Sequence, residues 1–379
     1  MLQINIMRGL EGNVVADLTV NPDMTTREMK SKISDEIGLL PDQLLVIWET
    51  KPLEDDQTLG EACIASGASL QIIVRKARLA LSGCRDGQMI LWNMGDAKIE
   101  REFHSDESTG IDVKALAVNW TDMCALSGYG DGCMKLWELT NGDCLRSFMG
   151  HTSSVRAIVA NWEGQQALSC SQDGTMKLWD VASGGYLGTF HGHKGQVLAA
   201  AVDWRTQRAL SGGQDCQLRL WDFASTECTA YLRGHQQHVS AIVADWHGMQ
   251  AISASFDCSM KLWDLNTGTL LRSFLVCSEV RRGDMLVAIT ADWRERRAVS
   301  CSSQQGMKVW DLDVGSCLAH FEWKASPICS AATATWPQRQ VLSCHSDRRL
   351  RLWDAETGSQ ILCFEGHRSP VTAVAVDSP

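Results

Sequence analysis

Four groups of residues in this chain contain the side chains of an activated-serine relay: His151–Ser169–Asp173–Trp179, His193–Ser211–Asp215–Trp221, His235–Ser253–Asp257–Trp263 and His367–Ser82–Asp86–Trp92. An imidazole oriented by a carboxylate and bonded to a serine hydroxyl is the arrangement used for acyl transfer. Two considerations turn the reading away from catalysis. A nucleophile must face a cleft, and one enzyme has no use for four copies of it. A buried indole N–H and a buried imidazole each need a hydrogen-bond partner, and these residue types supply one another. The expectation is a structural hydrogen-bond network, with no catalytic residue, cofactor or metal ligand assigned.

The elements that carry these groups repeat. Trp92, Trp137, Trp179, Trp221, Trp263, Trp310 and Trp353 stand 45, 42, 42, 42, 47 and 43 residues apart. A period of this size signals solenoids or propellers. One unit, GHTSSVRAIVANWEGQQALSCSQDGTMKLWDVASGGYLGTF, contains four short strand-like pieces separated by polar or Gly-bearing turns. Gly-His opens units at Gly150-His151, Gly192-His193, Gly234-His235 and Gly366-His367. Trp-Asp closes five of the seven, with Trp92-Asn93 and Trp137-Glu138 as departures. These motifs resemble the WD-repeat (WD40) family across roughly residues 78–379. The resemblance implies a mainly β fold, a seven-bladed propeller in which each His-Ser-Asp-Trp network locks one blade. The chain ends in a Gly-His strand with nothing after it and begins its first unit without one. Val371–Val376 is therefore expected beside Leu79–Ser82, closing the ring and removing two exposed sheet edges. In the second, sixth and seventh units Thr109, Arg282 and Ala325 replace the His, and Gln304 replaces the sixth Asp, so these blades are expected to be less rigid. The sixth unit also has a longer leading loop, VCSEVRRGDM, and long loops on rigid scaffolds are common binding elements.

Residues 1–75 follow another pattern. QINI and ADLTV suggest a strand pair. MTTREMKSKISDEIG follows, with Met29, Ile33 and Ile37 at helical spacing, and then come further strand-rich pieces. The succession VNPDMTTREMKSKISDEIGLLPDQ…ETKPLEDDQTLGEACIASGASLQIIVR resembles ubiquitin. The resemblance implies an α+β β-grasp domain over 1–75, joined to a propeller domain over 76–379. By position, Leu10, Ile47 and Ile73 match ubiquitin's hydrophobic recognition patch, an aliphatic docking surface. The terminal Gly-Gly used for conjugation is missing and IIVRKARLAL runs straight on into the propeller, so the domain is expected to be a built-in ubiquitin mimic rather than a detachable modifier.

Carrying over the family's upper-face positions, those flanking the first apolar residue of each unit and preceding its turn Asp, yields candidate protein-binding residues Arg85, Lys114, Arg156, His238, Phe256, Met285 and Ile328. Trp323 joins them from a nearby loop. Interface energy concentrates in a few such aromatic and Arg side chains. A second set, Trp120, Trp162, Trp204, Trp246, Trp293 and Trp336, ends the first strands and is expected between blades. GYGDGC, from Gly128 to Cys133, sits in a strand-to-strand turn and fits turn geometry better than a phosphate loop. The fifteen cysteines include no C-x-x-C pair, and Cys144, Cys228 and Cys317 recur at one repeat position. Equivalent positions of different blades lie beyond disulfide reach, so reduced, buried thiols are expected. A net charge of -10 disfavours nonspecific binding to nucleic acid or anionic membrane. No membrane span and no secretory signal are evident, which suggests the cytosol or the nucleus. The function expected is a non-catalytic scaffold or adaptor, a monomer able to hold two protein partners. Its propeller would bind a client and its ubiquitin-like domain would dock ubiquitin receptors such as the proteasome. The alternative is a substrate receptor of a ubiquitin ligase. Propellers serving cullin-type ligases often carry Arg two places after Trp-Asp, where this chain has Ala182, Ala224, Asn266, Asp313 and Glu356.

Overall fold

The computed structural model describes residues 2–8, 13–37, 44–49, 51–54, 56–74, 78–104, 111–276, 284–322 and 328–377. They fall into two compact units: Met1–Arg78 with Asn93–Asp96, and Leu79–Trp92 with Ala97–Pro379.

In the first unit, β1 (Leu2–Arg8), β2 (Asn13–Val20), α1 (Thr26–Ile37), β3 (Leu44–Trp48), β4 (Lys51–Pro52) and β5 (Ala68–Val74) form one helix and a five-stranded sheet. The sheet order is β2-β1-β5-β3-β4, with β1 and β5 parallel, which is the β-grasp topology. The helix starts at a capping box. Thr25 N–H donates to Glu28 Oε2 at 3.1 Å and Glu28 N–H donates to Thr25 Oγ1 at 3.3 Å, satisfying donors that a helix N-terminus leaves orphaned. Met29 and Ile33, one turn apart, are fully buried among Ile4, Ile6, Leu44, Val46, Leu70 and Ile72.

The second unit contains seven four-stranded antiparallel sheets among the described residues. Their innermost strands are Val113–Asn119, Val155–Asn161, Val197–Asp203, Val239–Asp245, Leu286–Asp292, Cys329–Thr335 and Val371–Val376. The last of these pairs with Leu79–Cys84, which belongs to the first sheet. Burial declines outward. Every residue of the second strand Leu79–Cys84 is buried, whereas in the outermost strand Ile99–Phe103 only Phe103 is. A second strand covered on both faces must be apolar or small where it is buried, as LALSGC and the buried ALSCS and AISAS are.

Successive sheets bury their faces against each other. Phe148 of the second sheet meets Trp179 of the third edge-on at 5.9 Å, and Phe364 of the seventh meets Trp92 of the first in the same way at 5.6 Å. Trp162, Trp204, Trp246, Trp293 and Trp336 are half-buried and pack onto the clusters between sheets, the position expected of them. Trp336 Nε1 also donates across sheets to Thr290 Oγ1 at 2.9 Å. Two expectations need adjustment. The terminal strand pairs with Ala80–Cys84 rather than stopping at Ser82, and a bulge lies between Val371 and Ala373. All described cysteines are free, but Cys144 and Cys317 are exposed and Cys228 is half-buried, because the shared repeat position opens the outermost strand.

Candidate functional site

The relay residues assemble, but inside the sheets. In the third sheet, Ser169 lies on the second strand, Trp179 on the third, and His151 precedes the innermost strand. Trp179 Nε1–H donates to Ser169 Oγ at 2.8 Å, Ser169 Oγ lies 2.7 Å from His151 Nε2, and His151 Nδ1 lies 2.8 Å from Asp173. A neutral imidazole with its proton on Nδ1 satisfies every group: it donates to the carboxylate and accepts the serine proton. The fourth and fifth sheets repeat this. His193 reaches Ser211 at 2.7 Å and Asp215 at 2.9 Å, and His235 reaches Ser253 at 2.7 Å and Asp257 at 3.0 Å. Burial opposes the charge on Asp173, but hydrogen bonds from Thr175, His151 and the Thr152 N–H outweigh it and hold the carboxyl at about 2. Ser82, Ser169, Ser211 and Ser253 have no exposed surface, so none can meet a substrate carbonyl. These four sets are structural.

The first sheet departs from the expected network. His367 Nε2 lies 2.6 Å from Ser82 Oγ, which accepts from Trp92 Nε1–H at 2.7 Å. Asp86 does not join; its Oδ1 accepts instead from Cys84 Sγ, two residues after the serine, at 2.7 Å. His367 Nδ1 is consequently buried without a partner, and burial pulls its pKa down to about 4. The expected lapses are also partly filled. Thr109, Arg282 and Ala325 lie outside the described residues, but His345, on the second strand of the seventh sheet, places Nε2 2.8 Å from Ser343 Oγ, the acceptor of Trp353 Nε1–H. In the second sheet the buried Tyr129 holds the equivalent position, two residues past Ser127. In the sixth, Asp284 Oδ1 accepts from Ser303 Oγ at 2.9 Å and from the Gln304 N–H at 3.0 Å, standing in for the missing Asp.

The second expected site does face solvent. Each innermost strand has one register shift against its neighbour, and the residue skipped is Lys114, Arg156, Leu198, Ser240, Val287, Ser330 or Thr372. A bulge takes a residue out of the ladder and re-aims its side chain. All seven of these residues line one cavity of ≈ 380 Å³. Six of the eight expected binding residues line it too: Arg85, Lys114, Arg156, Phe256, Met285 and Ile328. His238 stacks on Phe256, ring centroids 5.3 Å apart, and Trp323 lies outside the described residues. Sequence reasoning passed over Leu198, Ser240, Val287, Ser330 and Thr372 because it favoured large or charged side chains, although they hold the same repeat position as Lys114 and Arg156. The hydroxyls among them tie sheets together. Ser240 Oγ donates to Leu286 O at 2.7 Å, Thr372 Oγ1 to Val113 O at 2.5 Å, and Ser330 Oγ to Val371 O.

On the first unit, β3 buries Leu44 and Val46 and turns Leu45 and Ile47 to the other side of the sheet, half-exposed. Ile73 pairs by its backbone with Leu45, and its side chain, like Leu10, lies outside the described residues.

Residues 8–77 match the ubiquitin family, and residues 142–180, 184–222 and 226–264 each match the WD domain, G-beta repeat. Among solved structures, the chain is similar to the crystal structure of the computationally designed Ika8 protein. They share 27% identity and a TM-score of 0.62, over 79% of this chain and 87% of that one.

Proposed function

We propose that this chain, a ubiquitin-like domain followed by WD40 repeats, is a non-catalytic protein-interaction scaffold that holds two partners. Its sheets act as a closed seven-bladed propeller over residues 76–379, the bulge-lined cavity seats a protein client, and the domain over 1–75 docks ubiquitin receptors such as the proteasome. One observation carries the reading: seven sheets each send a residue freed from the ladder into one cavity. A cavity of ≈ 380 Å³ falls in the range of sites that take a few side chains of a partner. Closure is supported by the pairing of Val371–Val376 with Ala80–Cys84 and by the Thr372 bond to the neighbouring inner strand. The receptor-docking half rests on Ile47, which stands on the sheet face turned away from the core.

Affinity purification from cytosolic and nuclear extracts tests both surfaces. The wild type is compared with an Ile47→Ala/Ile73→Ala variant and an Arg156→Ala/Phe256→Ala variant. Each pair of substitutions is expected to remove a separate partner set, with proteasome subunits among those lost from the first. An unchanged interactome in both variants would refute both surfaces.

A further inference from the structure

Charge is distributed unevenly around the cavity. Its charged lining residues are all cations, in a chain whose net charge is -10. Arg85, Lys114 and Arg156 come from the first, second and third sheets. Phe256, Met285 and Ile328 come from the fifth, sixth and seventh, so the cations gather on one arc and the large apolar side chains on the other, among Ser240, Ser303, Gln304 and Ser330. The cations differ in how far they are already satisfied. Lys114 Nζ holds Asp112 at 2.5 Å. Arg156 has a buried Nε that makes no hydrogen bond within the chain. Burial draws the Arg156 guanidinium below its ordinary pKa, with Asp112 opposing, so this half-buried cation has an Nε shut off from water and not yet hydrogen-bonded. Arg85 is exposed at the rim. Ile328 is 52% exposed, a large apolar side chain left open beside the cavity.

We infer that the cavity takes an extended protein segment presenting a carboxylate next to an apolar or aromatic side chain. The carboxylate goes to Arg156 and Arg85, and the apolar group goes to Phe256, Met285 and Ile328. This rests on the cavity being the client seat and names the chemistry of the client. A desolvated guanidinium is strongly stabilised by a carboxylate, because charge-assisted bonds gain in a low-dielectric site. Lys114 is already neutralised by Asp112, which leaves Arg156 and Arg85 as the two cations for the carboxylate, and a phosphoserine arm separates this from a dianion.

The test uses the immobilised full-length chain and positional-scanning heptapeptide pools X-X-X-Z-X-X-X, with Z fixed as Glu, Gln, Lys or phosphoserine. The Glu pool is expected to be retained about tenfold over the Gln and Lys pools, the factor that one charge-assisted hydrogen bond is worth. Arg156→Ala is expected to erase that preference. Arg85→Ala, whose side chain is exposed, should reduce it severalfold and keeps the test valid should Arg156→Ala unfold. Phe256→Ala is expected to lower retention of every pool while leaving the ratio of Glu to Gln in place. Equal retention of Glu and Gln, or retention of the phosphoserine pool alone, overturns the carboxylate assignment and leaves the seat standing if Phe256→Ala still weakens binding. If no pool is held above bare matrix, or none responds to Phe256→Ala, the seat falls as well.

Discussion

His367 bonds through Nε2 alone, where His151, His193 and His235 each bond through both ring nitrogens. Asp86 bonds Cys84 instead, the imidazole is buried with Nδ1 unpaired, and burial lowers its pKa from 6.5 to about 4. The unfolded chain therefore takes up this proton first as pH falls. Folding free energy should decline between pH 6.5 and 4 on this account, before the depressed carboxyl of Asp173 begins to add its own loss. His367→Gln is expected to flatten the fall in melting temperature across that window. An identical pH profile in variant and wild type would assign the loss to other groups. Ser169 presents the opposite case, since it is saturated. Ser169→Ala leaves the buried Trp179 indole N–H and His151 Nε2 without partners, and should lower stability in urea titration by about 1–3 kcal/mol. The His-Ser-Asp-Trp sets were legible as networks from their recurrence, their need for buried partners and the WD-repeat resemblance. The detachment of Asp86 was not, because it depends on the rotamer of a carboxylate choosing between a thiol and an imidazole.

The second strands show how sheets without the Gly-His imidazole compensate. Two residues past the central Ser stand Cys84, Ser171, Gly213 and Ser255 in the sheets that receive His from the leading loop. In the seventh and second sheets the same position holds His345 and Tyr129, both buried. A small residue there leaves room for an imidazole arriving from outside, and a large one fills that room from within. The expectation of looser second and seventh blades considered only the leading loop, although this alternation was present in the sequence. His345→Ala should therefore destabilise the chain by about 1–3 kcal/mol, comparable with His151→Ala, because Ser343 and Trp353 lose their organising partner. A neutral His345→Ala would return the seventh sheet to the status of a lapse. Packing between sheets imposes its own condition one residue earlier on the same strand. A Cβ on Gly83 would stand 2.4 Å from Val113 Cγ1 of the adjoining inner strand, so Gly83→Ala should lower the melting temperature through overpacking of about 1–3 kcal/mol.

At the scale of the molecule, the Trp period made the repeat count legible, and the unpaired ends of the sequence pointed to the partnership of the last strand with the first sheet. The register escaped because a bulge adds one residue without disturbing the apolar alternation on either side of it. Deleting 371–379 strips the Leu79–Cys84 strand of its neighbour and removes the Thr372 bond to Val113, so the variant should lose the cooperative unfolding transition of the whole C-terminal unit. Retention of a single sharp transition by calorimetry would mean the terminal strand is dispensable. The bulges carry a consequence for how such a receptor changes its taste. Strand pairing is blind to the identity of a skipped residue, and at Leu198 and Val287 the side chain has no polar atom to bond a neighbouring sheet. Val287 also packs onto the core beside it, so the Leu198 codon is the one open to randomisation with every ladder intact, and a preference at the proposed client seat can drift there by single substitutions.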